Sequence, residues 1–118
     1  MATRKIDTES GRAALAAVTD GSAERADTAT AVRYLLQLLA EKAPGRSVEV
    51  RVPPFGAVQV VGGPSHSRGT PPNVVELDAT TWIGLATGSL EWGDAAAEGR
   101  IQASGTRADL SALLPLRA

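Results

Sequence analysis

A chain of 118 residues with 43% hydrophobic content suits one domain around one core, because chains commonly divide into domains only above roughly 250 residues. Its 12 basic and 13 acidic residues are interspersed and leave a formal charge of −1, so the basic field that phosphate backbones reward is missing, which argues against nucleic acid as a partner. The absence of cysteine removes disulfides, thiolate nucleophiles and cysteine-based zinc sites, and suits a reducing compartment.

Residues Glu9 to Val18 have helical composition and end at the turn chemistry of Asp20, Gly21 and Ser22. Alanine dominates there and buries little area per residue, so residues 1–26 form a weakly amphipathic segment that can dock late or stay mobile. Asp27 or Thr28 is placed to cap a second helix, whose Val32, Leu35, Leu36 and Leu39 line one face at helical spacing until Pro44 and Gly45 end it. Val48, Val50 and Val52 then alternate with Glu49 and Arg51, the period of a strand buried on one side. A short turn through Pro53, Pro54 and Phe55 leads into Ala57 to Val61, which predicts an antiparallel hairpin.

The Gly- and Pro-rich stretch from Gly62 to Pro72 reads as a surface loop and carries the only histidine, His66. Beyond it come a strand over Val74 to Leu77, a helix capped by Asp78 and stopped by Gly88, a shorter helix ending at Gly99, and a strand over Ile101 to Ser104. Thr106 and Asp109 are spaced like a capping box, so an amphipathic terminal helix is expected with Leu110, Leu113 and Leu114 on its apolar side. Together the elements predict an α+β fold: a mostly antiparallel sheet of four to five strands with helices packed on one face.

Four separated blocks carry a family resemblance: Val52 to Gln59, Arg68 to Glu76, Thr81 to Gly88, and Glu98 to Leu110. In this order they resemble the bacterial, largely actinobacterial, sterol carrier family, with type-two sterol-carrier-like domains as the wider group. The resemblance covers roughly residues 27–116. It implies helices over one face of a sheet, an apolar tunnel between them that takes acyl chains or sterols, and usually a fifth strand, sought here near Ser67 to Thr70.

Apolar ligand sites are concave and lined by hydrophobic and aromatic side chains, with a few polar groups at the mouth. Phe55, Trp82, Leu85, Leu90, Trp92, Leu110, Leu113 and Leu114 are the set expected around such a cavity, although plain core packing uses residues at the same spacing. His66 and Arg68, with Asn73 beside them, are candidates to hold a carboxylate or phosphate head group at the loop. One histidine without a positioned carboxylate or serine makes no triad, and the Glu and Asp residues nearby read as caps or surface charges. No cofactor or metal is expected.

The leading expectation is therefore non-enzymatic binding or transfer of a lipid, fatty acyl or sterol-like ligand between the sheet and the C-terminal helices. The competing expectation is an accessory interaction module, homodimeric through the Val32 to Leu39 face. No secretory-length apolar run follows the N-terminus and no stretch of about 18 apolar residues occurs, so a soluble cytoplasmic protein without an integral membrane span is expected.

Overall fold

The structure, a computed structural model, describes residues 5–63 and 72–116. Along the chain run α1 (Thr8–Thr19), α2 (Arg25–Lys42), β1 (Val48–Val52), β2 (Gly56–Val60), β3 (Asn73–Glu76), α3 (Ala79–Thr87), α4 (Trp92–Ala97), β4 (Gln102–Ser104) and a terminal 3-10 turn, Ser111–Leu113. The four strands form one mixed sheet in the order β2-β1-β3-β4. The expected hairpin is present, with Val50 opposite Val58, and β3 pairs antiparallel with β4, Val75 opposite Ala103. Between them β1 and β3 run parallel, because the hairpin reverses the chain once and the connection back to the far side of β1 reverses it again.

Period-two alternation sets which face is covered. Val48, Val50 and Val52 are all 0% exposed, while Glu49 and Arg51 lie on the opposite face, joined by a 2.6 Å ion pair. The stripe of α2 lies over the buried side: Val32, Leu35, Leu36 and Leu39 are at most 2% exposed, and the helix packs on α1, β2 and α3. This corrects the expectation of a homodimer through that stripe, since the sheet and neighbouring helices already occupy it.

The start of α2 is also corrected. Its cap is Glu24, three residues before the expected Asp27. The Ser22 hydroxyl accepts from the Glu24 backbone N–H and donates to Asp27 Oδ2 at 2.7 Å, so one side chain satisfies an early helical donor and turns Asp27 inward to itself.

Helix α1 lies against α2 through a close approach. Gly11 faces the ring of Tyr34, which is 2% exposed, with no room between them for a Cβ. Just upstream, Gln37 of α2 accepts from the Ile6 N–H and donates to the Ile6 carbonyl, both at 2.9 Å. Ala14 and Leu15 complete the buried side of α1.

The expected terminal helix does not form. The Asp109 carboxylate accepts from the Ser111 N–H two residues on at 2.8 Å, a local bond that offers the backbone an alternative to helix. What remains is the single 3-10 turn, bounded by Pro115. The chain then returns to α3, where the Leu116 N–H donates to the Ala86 carbonyl at 2.8 Å. The position considered for a fifth strand lies outside the described residues.

Candidate functional site

Helix α3 places the first wall of a groove. Asp78 caps it by accepting from the Thr81 N–H at 2.8 Å, and Gly88, at φ +88°, ends it in the left-handed conformation that glycine adopts without strain. The Gly88 and Leu90 N–H groups both donate to the Gly84 carbonyl, at 3.0 and 3.1 Å, so the chain folds back sharply and seats Leu90 over Gly84. Only hydrogen fits there comfortably: a Cβ on Gly84 would stand 3.1 Å from that of Leu90. Helix α4 then opens with Trp92, and the C-terminal segment brings Leu114 and Pro115 alongside. Leu85, Leu90, Trp92, Leu114 and Pro115 form the apolar wall of a groove of about 440 Å³, with Glu91 and Ser111 at its edge.

Four of the side chains singled out from sequence, Leu85, Leu90, Trp92 and Leu114, thus line one groove. The structure places the others elsewhere. Trp82 is 0% exposed in the core, its indole N–H donating to the Val32 carbonyl at 3.3 Å, and Leu110 is buried in the same core. Leu113 packs against that core from outside, and its carbonyl accepts from Lys42 Nζ. Phe55 lies on a different groove. His66 and Arg68 fall outside the described residues. Asn73 is buried, with its amide donating to the Ser47 carbonyl at 2.7 Å and accepting from the Arg107 N–H at 3.0 Å, so it ties β1 to the chain after β4.

The groove that Phe55 joins is larger, about 920 Å³, and runs along α2 between the start of α1 and the edge strand β2. Ile6, Leu36, Phe55 and Val58 are apolar contributors, and Lys5, Asp7, Arg33 and Glu41 supply charged groups. Sequence periodicity assigns Leu36 to the core stripe of α2 and Val58 to a strand. It contains no signal that α1 closes over them, because that contact is tertiary.

Three aspartates of the described residues serve the backbone around them. Backbone N–H groups of Ser10, Thr81 and Ser111 hold the carboxyls of Asp7, Asp78 and Asp109 below the ordinary aspartate range, which favours a charged cap over a proton donor. Among the described residues no group of three or more His, Cys, Asp or Glu side chains is placed to hold a metal ion. Asp78 gives a pH test. Its depressed value means that its contribution is complete above the unfolded aspartate value, near pH 4, and is lost as pH falls through the folded one. Asp78→Ala should cost about 1 kcal/mol at pH 7, with the gap to wild type closing below about pH 4 in urea melts. Asp78→Asn, whose cap does not titrate, should keep most of the stability at both pH values.

The family model described as a bacterial SCP ortholog, SCP denoting sterol carrier protein, matches residues 24–116. The chain belongs to this family. The match begins at the cap of α2 and ends at Leu116, so it takes in the whole sheet and every wall of the Leu85–Leu90–Trp92–Leu114 groove, while α1 precedes it. No curated protein matches the chain. This sterol carrier family domain presents an apolar recess beside α3 and α4, to which the Thr81 to Gly88 block contributes Leu85 while Leu90, Trp92 and Leu114 come from outside the four blocks, and among the described residues no helix is long and apolar enough to cross a membrane.

Proposed function

We propose that this sterol-carrier-family domain is a non-enzymatic binder of an apolar, lipid-like ligand, working in the cytoplasm, with the ligand held against Leu85, Leu90, Trp92 and Leu114. The convergence of those four side chains on one groove carries the reading, and family membership supports it. The volume of about 440 Å³ lies within the roughly 300–1,000 Å³ of ordinary ligand pockets. Transfer of each ligand methylene from water contributes about 0.8 kcal/mol, so affinity grows with chain length and needs no fixed polar partner. Leu85 is the floor, and the half-buried Leu90, Trp92 and Leu114 have apolar surface left to cover.

Native mass spectrometry of the purified protein, before and after denaturing extraction, tests the reading. The expected result is a co-purifying or readily loaded apolar molecule at one equivalent, with occupancy reduced about tenfold or more in Leu114→Glu, because a charge then lies where the ligand must be dry. Equal occupancy in Leu114→Glu and wild type, with both variants folded, would overturn it.

A further inference from the structure

The larger groove has a polarity that the first lacks. Arg33 and Glu41 lie on α2 eight residues apart, about 12 Å along the helix, and mark its two ends. At the Glu41 end Lys5 Nζ is 3.4 Å from Glu41 Oε2, which neutralises that carboxylate; the Asp7 carboxylate also lines the groove and is engaged as the cap of α1, accepting from both the N–H and the hydroxyl of Ser10. At the other end stand two arginines with no carboxylate partner among the described residues. Arg33 Nε donates to the Phe55 carbonyl at 2.6 Å, which fixes the guanidinium and leaves its two Nη groups for another acceptor. Arg25 lies over the Phe55 ring, 5.1 Å from its centroid. Between the ends Val58 and Ile6 supply apolar surface over a floor at which the almost fully enclosed Leu36 just emerges, and a Cβ on Gly56 would touch Leu36 and the stem of Arg33 there.

We propose that this α1–α2–β2 groove is a second, separate ligand site for a single-chain amphiphile with an anionic head, the chain lying along Leu36, Val58 and Ile6 and the head on the Nη groups of Arg33 beside Arg25. A carboxylate or a phosphate monoester satisfies the same donors, because the planar guanidinium presents paired N–H groups to either. A neutral amphiphile of the same length leaves them to water. The site is independent of the groove at Trp92, and either can exist without the other.

Calorimetric titration of the full chain with palmitate, lysophosphatidate and hexadecanol decides the matter, with amide shifts of Gly56 and Val58 locating the complex. At least one of the two anionic probes should bind at this groove about tenfold to a hundredfold more tightly than hexadecanol, the worth of a charge-assisted hydrogen bond. Arg33→Gln should remove that preference, Arg33→Lys should restore part of it, and Trp92→Ala should leave it intact. Equal binding of the anionic and neutral probes, an unchanged preference in Arg33→Gln, or a loss that follows Trp92→Ala in place of Arg33→Gln would overturn the proposal, and the last of these would leave the Trp92 groove standing as the ligand site.

Discussion

Trp82→Ala should destabilise the domain by about 3–5 kcal/mol, whereas Trp92→Ala should change stability by no more than about 1 kcal/mol, as expected away from a packed core. The two tryptophans are ten residues apart and serve different ends. Trp82 is fully enclosed in the core, on a helix that packs against α2, so truncation loses its transfer free energy and leaves a cavity that the surrounding core cannot fill. It also deletes the hydrogen bond to the Val32 carbonyl. Because small domains have roughly 5–15 kcal/mol in total, one substitution removes a large share. Trp92 is half-buried at the mouth of a groove, and its removal widens that groove without hollowing the core. Urea melts of both variants check this. Equal destabilisation would mean that Trp92 is core and that the groove is only an irregularity of packing.

Gly11→Ala should destabilise by about 1–3 kcal/mol or more, against the usual gain of about 1 kcal/mol when glycine in a helix becomes alanine. The sign turns on one neighbour. A Cβ on Gly11 would overlap the ring carbons of Tyr34, including the one bonded to its own side-chain stem, and that ring is enclosed and cannot swing aside. Relief requires α1 to lift from α2, which strains the paired bonds between Gln37 and Ile6. Gly93 in α4 is the internal control, since a Cβ there meets nothing within 4 Å. Gly93→Ala should therefore raise stability by about 0.5–1 kcal/mol. Thermal melts of the pair should move in opposite directions, and a stabilising Gly11→Ala would refute the close seating of α1.

What was legible in the sequence follows from the range of each interaction. The alternation of Val48, Val50 and Val52 and the spacing of Val32, Leu35, Leu36 and Leu39 are local signals, and both buried faces match them. Asp78 and Gly88 bracket α3 because capping chemistry is read within a few residues. The terminal helix failed on an equally local contest: Asp109 resembles a capping-box partner, yet its carboxylate bonds to Ser111 and stops the helix from starting. The cavity residues were legible as apolar and ambiguous as to role. Trp82 and Trp92 look alike in a pattern, and only the tertiary packing sends one into the core and the other to a groove. The α1–α2–β2 groove was invisible because it arises where the start of α1 meets residues that follow it by some fifty positions in the chain. A contact of that sequence separation leaves no periodic trace.

The central claim is that an apolar ligand lies against Trp92, and quenching by a long-chain fatty acid carrying a bromine pair or a nitroxide on its tail tests it most directly. Saturable quenching at one equivalent in wild type, kept in Trp82→Phe and lost in Trp92→Phe, is the result predicted. Quenching that does not saturate, or that survives unchanged in Trp92→Phe, would contradict the claim.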